Sequence, residues 1–370
     1  MKGSTTVNIN NQTTNNSLET LGWNDFFRAG FQEFDDAGLQ PARVVAEHRN
    51  GYALLTTQGE FRAELSGRLR HSAADRSQLP AVGDWVAVAI EQGGDMAIIH
   101  GVLPRRSAFS RNAVGGRTEQ QIIAANIDAL VIVTGLDNNF NVRRIERYLT
   151  AAWDSGATPI VVLNKADQCP NLDERIAEVE GVAIGTTVIA ISALEGVGIG
   201  TLREHLRPGV TAALVGSSGV GKSTIINQLI GQDRQTTGST SQSVGKGKHT
   251  TTHRELIPLP NGAILMDTPG MRELQLWGGN DDGVSEIFGD IEELAASCRF
   301  SDCRHEGEPG CAVGNALRNG QLNPSRFENY RKLQRELAYQ NRRQDEGAMR
   351  AEKERWKKLS KQYRNGPHRP

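Results

Sequence analysis

A glycine-rich segment that carries one lysine follows an apolar run in the second half of the chain. The segment reads Gly216-Ser217-Ser218-Gly219-Val220-Gly221-Lys222-Ser223-Thr224. The apolar run AALV precedes it, and the chain continues from it as TIINQLI. This is the G-x-x-x-x-G-K-S pattern between a strand and a helix, whose glycines let backbone N–H groups turn toward an anion. Lys222 would place a positive charge on the β- and γ-phosphates, and Ser223 a hydroxyl on Mg²⁺. The segment predicts a site for a nucleoside triphosphate, with Lys222 also acting in catalysis.

The base is indicated by a second segment, Asn164-Lys165-Ala166-Asp167, which ends the apolar run PIVVL and reads N-K-x-D. The Asp167 carboxylate can accept hydrogen bonds from both the ring N–H and the exocyclic amine of guanine. Adenine lacks this pair of donors and would leave the carboxylate unpaired, at a cost of about 1–3 kcal/mol. Ser192-Ala193 follows the run TVIAI, where GTPases offer a backbone N–H to the guanine carbonyl oxygen. The two segments predict GTP and GDP as ligands.

Two further segments could sense the γ-phosphate. The run GAILM ends at Asp267-Thr268-Pro269-Gly270, a D-x-x-G pattern in which Asp267 reaches Mg²⁺ through water and the Gly270 N–H contacts the γ-phosphate. The stretch GKGKHTTT at 245–252 lies between this pattern and the glycine-rich segment Gly216–Thr224, called the phosphate loop below. One of its threonines, Thr250 or Thr251, is expected to bind Mg²⁺ as a switch residue. The alternative interpretation is a flexible Gly/Lys loop.

Hydrolysis also needs a group that orients the attacking water. The residue after the D-x-x-G pattern is Met271, whose apolar side chain cannot do this. His249, beside the switch threonines, is the candidate, and the alternative is a solvated loop histidine. The hypothesis is slow turnover by the protein alone and activation by a partner that orders the loop.

Three cysteines and one histidine lie close together near the C-terminus, in the pattern Cys298-x4-Cys303-x-His305-x5-Cys311. Three thiolates and one imidazole suit a tetrahedral Zn²⁺ site, and four protein ligands make such a site structural. An iron–sulfur cluster and three unrelated buried thiols are the alternatives. The fourth cysteine, Cys169, is expected to be an ordinary reduced thiol.

The surrounding elements fall into three groups. Short strands with Asn-Gly and Gly-Gly turns predict an antiparallel, OB-type β-barrel over residues 41–112, which either binds nucleic acid or serves only in packing. Apolar strands that alternate with helices predict an α/β domain with a parallel sheet over residues 113–277. Residues 278–370 are expected to form a zinc-binding and basic helical domain. Residues 1–40, which begin with an Asn/Thr-rich stretch, are expected to be a mobile extension.

Composition and charge exclude several classes of protein. The net charge of −1 argues against a protein that is basic throughout and coats nucleic acid. Four cysteines in 370 residues are too few for a disulfide framework, and no run approaches the ~18 apolar residues of a membrane span. A cytoplasmic protein without a membrane partner is expected, most simply a monomer. The segment 325–370 nevertheless carries 14 Lys/Arg against 6 Asp/Glu. This surplus favours contact with RNA phosphates, and the alternative is an amphipathic helix packed on its own protein.

The order of the motifs is unusual, because N-K-x-D and S-A precede the phosphate loop, the threonine run and D-x-x-G. The GTPase domain is therefore predicted to be circularly permuted. Together with the barrel, GSSGVGKST, HTTT, DTPG and the Cys/His pattern, this order resembles the ribosome small-subunit-dependent GTPase A (RsgA) family. The resemblance implies binding to the small ribosomal subunit and its rRNA late in assembly, with faster GTP hydrolysis on the subunit. The first forty residues hold only Lys2 and Arg28 against five acids, so the basic arm of some members is missing.

Two other functions compete with a partner-activated GTPase. The chain could be a ribosome- or RNA-binding module for which GTP is only a conformational latch, and the nucleotide motifs alone do not exclude this. An ATPase with the same phosphate loop is disfavoured by Asp167.

Overall fold

The computed structural model describes residues 17–48, 51–73, 75–91, 94–112, 120–231, 255–267, 282–335 and 337–338. Its strands are β1 (Gln40–His48), β2 (Gly51–Thr56), β3 (Gly59–Leu65), β4 (Trp85–Ile90), β5 (Met96–Val102), β6 (Ala108–Asn112), β7 (Gln120–Ala125), β8 (Ala129–Gly135), β9 (Thr158–Asn164), β10 (Thr187–Ile191), β11 (Thr211–Val215), β12 (Glu255–Pro258) and β13 (Ile264–Asp267). Its helices are α1 (Asp25–Asp35), α2 (Gly67–Ser72), α3 (Val142–Ser155), α4 (Leu172–Glu180), α5 (Ile199–His205), α6 (Lys222–Ile230), α7 (Asp282–Ala296), α8 (Ala312–Arg318) and a C-terminal helix, 324–335. No helix in these ranges is long and apolar enough to cross a membrane.

The first five strands close into a barrel in the order β1-β2-β3-β5-β4, because β4 also pairs with β1. The β3–β5 pair is parallel and the other pairs are antiparallel. Alternate side chains point inward and form a small apolar core of Ala42, Val44, Leu54, Ala63, Val86, Val88, Ala97 and Ile99. The predicted β-barrel is confirmed, with five strands, but its β3–β5 pair is parallel where the sequence predicts antiparallel pairing.

Helix α1 packs on the outside of this barrel. It begins at an Asn24 cap, whose side chain accepts a hydrogen bond from the Phe26 N–H at 3.1 Å. Phe27 and Phe31, one helical turn apart, are buried, and Trp23 meets the Trp85 ring edge-on at 4.7 Å between centroids. The expectation of a mobile extension over residues 1–40 is therefore wrong for residues 25–35, since the i, i+4 pair of phenylalanines gives this segment a face to bury.

The second group of strands forms an α/β sheet in the order β10-β9-β8-β11-β13-β12. The first five strands of this order are parallel, and β12 is an antiparallel edge strand. Apolar clusters cover both faces of the sheet, which explains why β8 and β11 are buried along their whole length. The carboxyl ends of β8, β9, β10, β11 and β13 therefore meet at one edge, where ligands of open α/β sheets bind.

The barrel and the α/β sheet are joined at two places. Strand β1 pairs with β12 through Ala46 and Glu255, so the two sheets are continuous. Nearby, the buried Arg43 guanidinium donates to the Leu21 carbonyl, to Thr211 Oγ1 at 2.7 Å and to the Asn126 carbonyl at 3.3 Å. Burial lowers the pKa of Arg43 to about 10, against the opposing field of nearby carboxylates. Arg43 thus ties three separate segments to strand β1.

We expect the substitution Arg43→Met to lower the free energy of unfolding by about 1–3 kcal/mol, because it leaves buried oxygen acceptors without a donor. Urea unfolding followed by tryptophan fluorescence measures this, since Arg43 stacks 5.6 Å from the Trp85 ring. Arg28→Met is the matched control, because the Arg28 side chain is 61% exposed. An Arg43→Met protein as stable as this control would show that the hydrogen bonds of Arg43 do not stabilise the fold.

The first part of the basic tail packs on its own protein. Phe327, Leu333 and Leu337 are buried in the same apolar cluster that covers one face of the α/β sheet. For this part of the tail, the alternative prediction of an amphipathic helix that packs on its own protein is confirmed. Residues 339–370, which hold most of the positive surplus, lie outside the described residues, so RNA contact by the tail stays a prediction.

Candidate functional site

The phosphate loop connects strand β11 to helix α6, as its pattern predicts. Gly216 has φ +143°, and a Cβ there would lie 2.1 Å from the Val133 carbonyl oxygen. Gly221 has φ +98°, and a Cβ there would lie 2.2 Å from Asn164 Nδ2. Both positions therefore exclude any side chain. The loop is held at the sheet edge by close contact with β8 and β9.

The loop lysine folds back over its own loop. Lys222 Nζ donates to the carbonyl oxygens of Gly216 at 2.7 Å and Ser217 at 2.8 Å. The side chains of Ser223 and Thr224 are half-buried at the start of α6, whereas Ser218 and Gly219 are exposed. The ammonium group therefore lies at the mouth of the loop, beside the first backbone N–H groups of a helix.

Asn164 connects the three segments of the predicted nucleotide site. It is 3% exposed at the end of β9. Its Oδ1 accepts from the Ala193 N–H at 3.0 Å, and its Nδ2 donates to the Val220 carbonyl at 2.8 Å. One side chain thus fixes the N-K-x-D segment, the S-A segment and the phosphate loop relative to one another.

Lys165 is fixed by the carboxylate of Asp137, which belongs to none of the sequence motifs. Its backbone is left-handed, with φ +67°, and its Nζ donates to Asp137 Oδ2 at 2.6 Å. Burial raises the pKa of Asp137, but the Lys165 ammonium and the Asn139 N–H outweigh it and the net shift is downward. Only its position in the sequence points to a role in the site, because Asp137 follows β8 and so lies at the same sheet edge as Asn164.

Asp167 is exposed in the short 3₁₀ turn Ala166–Gln168, so its carboxylate is accessible to a ligand. The Ser192 hydroxyl is the main cause that lowers the pKa of Asp167. The group is thus ionised at neutral pH, as an acceptor for two N–H donors must be. Ser192 and Ala193 are buried next to it, in a loop closed by backbone hydrogen bonds between Ser192 and Val197 at 3.0 and 3.1 Å. Asp167 and the S-A segment are therefore neighbours, as the motifs predict.

Only part of the predicted switch region belongs to the described residues. Asp267 ends β13 at the same sheet edge as the phosphate loop, and it pairs with Glu255 of β12. His249, Thr250, Thr251 and Gly270 lie outside the described residues. Their roles stay predictions.

The predicted metal ligands lie together between α7 and the C-terminal helix. The ligand atoms of Cys298, Cys303, His305 and Cys311 are all within 4.8 Å of one another. Cys298 Sγ lies 3.9 Å from Cys311 Sγ, and His305 Nδ1 lies 3.6 and 3.5 Å from these two sulfurs. Sulfurs bound to one tetrahedral Zn²⁺ at about 2.3 Å are about 3.8 Å apart, so these residues fit the ion.

The local structure around the cluster explains its shape. Cys311 caps helix α8, with its Sγ accepting from the Gly314 N–H at 3.2 Å. The His305 ring lies edge-on to Phe327 of the C-terminal helix, 6.1 Å between centroids. All four cysteines are free of disulfides, and Cys169 lies apart from the cluster, as expected. A metal here would join α7, α8 and the C-terminal helix.

Comparison with known proteins gives consistent results. The family model of the RsgA GTPase matches residues 102–277. A protein of Opitutus terrae named small ribosomal subunit biogenesis GTPase RsgA is 52% identical over 351 residues, which cover 93% of this chain and 96% of that protein. The crystal structure of YjeQ from Thermotoga maritima matches with a TM-score of 0.61 and 27% identity, over 81% of this chain and 99% of that one. YloQ, described as a circularly permuted GTPase, shares the fold with a TM-score of 0.58 at 22% identity, over 82% and 96% of the two chains.

Proposed function

This chain belongs to the RsgA GTPase family, and on that basis we propose that it hydrolyses GTP to GDP and phosphate while acting late in the biogenesis of the small ribosomal subunit. The observation that carries the proposal is the position of Asn164, which brings the N-K-x-D, S-A and phosphate-loop segments to one edge of the sheet. A guanine-specific site and a triphosphate site at that edge make one GTP site.

The phosphates lie against the loop from Gly216 to Thr224 in this proposal. The backbone N–H groups and Lys222 bind the β- and γ-phosphates, so the charge that develops during phosphoryl transfer is stabilised. The residues that would hold Mg²⁺ are Ser223, Asp267 and Thr250 or Thr251. When bound, Mg²⁺ neutralises charge on the β- and γ-phosphate oxygens.

The water must be held by a group outside the D-x-x-G segment, because Met271 follows it. We assign this to His249, which the ribosomal subunit would bring into position. Turnover by the free protein is then slow, and the subunit stimulates it. Cytoplasmic action as a monomer is consistent with this role, and Zn²⁺ bound by Cys298, Cys303, His305 and Cys311 has a structural role only.

The guanine preference rests on Asp167, and we expect Asp167→Asn to reverse it. The amide can accept from only one donor of guanine but pairs with the carbonyl of xanthine. GTP affinity should fall about 5- to 150-fold, which corresponds to 1–3 kcal/mol, and XTP affinity should rise. Competition binding with fluorescent GDP measures both, and Asp173→Asn on helix α4 is the control. Unchanged GTP selectivity in Asp167→Asn would refute the base assignment.

The function itself is tested by GTP turnover with and without purified small ribosomal subunits, with ATP as control. We expect strong stimulation that is lost as salt rises, because basic groups of the barrel and tail contact rRNA phosphates. Tight GTP-dependent binding to the subunit with an unchanged slow rate would instead identify a GTP-gated binding module. Equal turnover of ATP would contradict the guanine site.

A further inference from the structure

Helix α3 touches the phosphate loop at its first turn. Arg144 Nη1 donates to Ser217 Oγ at 2.9 Å and to the Asn139 carbonyl at 3.3 Å. Ser217 is the second residue of the loop, and its own carbonyl oxygen accepts from Lys222 Nζ at 2.8 Å. The Arg144 side chain therefore holds Ser217, and the Ser217 backbone in turn positions Lys222.

The orientation of Arg144 is set by the start of the helix. Asn141 caps α3, and its Oδ1 accepts from the Arg144 N–H at 3.0 Å. The guanidinium is partly buried against the loop, and its second acceptor lies in the turn just before the helix. Since the backbone of Arg144 is fixed in α3 and its guanidinium binds Ser217, a shift of the helix would move Ser217 as well.

The opposite face of α3 is fixed by the C-terminal region. Two residues along a helix is a rotation of about 200°, so Glu146 points away from the phosphate loop. Glu146 is 2% exposed, and its carboxylate accepts from Arg326 Nη1 at 2.7 Å and Asn329 Nδ2 at 2.6 Å. Burial raises the pKa of Glu146, and the charge of Arg326 opposes this.

Arg326 is itself held by helix α7. Its Nη2 donates to the Ile287 carbonyl at 2.6 Å and to Asp290 Oδ1 at 2.9 Å, and its guanidinium lies 5.0 Å from the centre of the Phe288 ring. A buried carboxylate with two charge-assisted partners is costly to displace. Helix α3 is thus fixed between the phosphate loop and the C-terminal helix.

We propose that Arg144 is a positioning residue for GTP hydrolysis, which holds Ser217 and with it the phosphate loop in the geometry that phosphoryl transfer needs. The proposal rests on the proposed GTPase function. Arg144 acts through Ser217 and not by contact with the phosphates, and the C-terminal helix fixes the helix that carries it.

The test is a double-substitution cycle of Arg144→Ala and Ser217→Ala, with kcat measured on small ribosomal subunits. Each single substitution removes the same hydrogen bond, so each should lower kcat about tenfold, and the double variant should be no slower than the slower single one. Arg144→Lys keeps a donor and should recover most of the loss. Arg143→Ala is the control, because Arg143 is half-exposed and pairs with the exposed Glu328 at 3.1 Å.

Thermal unfolding of each variant separates positioning from folding. If the losses in Arg144→Ala and Ser217→Ala multiply in the double variant, or if Arg144→Ala behaves as Arg143→Ala does, the proposal is wrong. If the unsubstituted protein shows no GTP turnover with subunits, the proposed function fails instead. In that case the dissociation constant for fluorescently labelled GTP is measured for the same variants. If Arg144 positions the loop through Ser217, the losses of affinity in the two single variants should again not multiply in the double variant.

Discussion

Lys222→Ala should lower kcat for GTP by about 10²–10³-fold, the effect of removing one preorganised donor from a developing oxyanion. The ammonium lies at the mouth of the loop, where it already binds the carbonyl oxygens of Gly216 and Ser217. In the proposed function the same group lies beside the β- and γ-phosphates of GTP, so its loss would remove transition-state stabilisation that no other described side chain replaces. Single-turnover hydrolysis on small ribosomal subunits measures the effect.

The fold should survive this substitution. Lys222 is only partly buried, so water can reach the carbonyl oxygens that it leaves. We expect its thermal midpoint to change by a few degrees at most. Lys332→Ala removes a lysine from the exposed side of the C-terminal helix, and it is the control for the thermal midpoint, measured without ribosomal subunits. A Lys222→Ala protein that keeps full turnover would remove the phosphate loop from the mechanism.

Cys311→Ser should abolish stoichiometric zinc binding and unfold the region around the cluster. Cys311 is the most buried ligand, at 2% exposure, and it also caps α8. A serine hydroxyl remains protonated at neutral pH and is a poor zinc ligand, whereas metal binding in small zinc domains contributes about 10–16 kcal/mol to folding. Elemental analysis gives the metal content, and hydrogen exchange over residues 298–335 gives the local stability.

Cys169→Ser is the matched control, because Cys169 lies outside the cluster and should leave the zinc content at one per chain. Iron in place of zinc would support the iron–sulfur alternative. Full zinc content in Cys311→Ser would show that the ion is held by other residues.

The phosphate loop and the metal ligands could be predicted from the sequence because their constraints are local. Gly216 and Gly221 are required by their own positive φ and by single close contacts. The four metal ligands lie within 14 residues, so a short loop is enough to bring them together. In both cases the spacing along the chain already limits the geometry.

The connections between segments could not be predicted in this way. The N-K-x-D pattern predicts Asn164 as a nucleotide-binding residue, but its side chain binds backbone atoms of Ala193 and Val220, 29 and 56 residues further along the chain. Asp137 and Arg144 belong to no motif, and only the strand order places them beside Lys165 and Ser217. Long-range contacts of this kind follow from the topology, which a local pattern does not contain.

The strand order also determines when the nucleotide site can form during synthesis. Strands β8, β9 and β10 are consecutive in the chain and adjacent in the sheet, so they can pair as soon as they leave the ribosome. Strand β11 pairs with β8 on one side and β13 on the other, and it is made later. At about 5–20 residues per second, the apolar edge of β8 waits roughly 4–15 s for its partner. The segments proposed to bind guanine are therefore made before the phosphate loop, and the open edge of β8 must be protected from aggregation until β11 arrives.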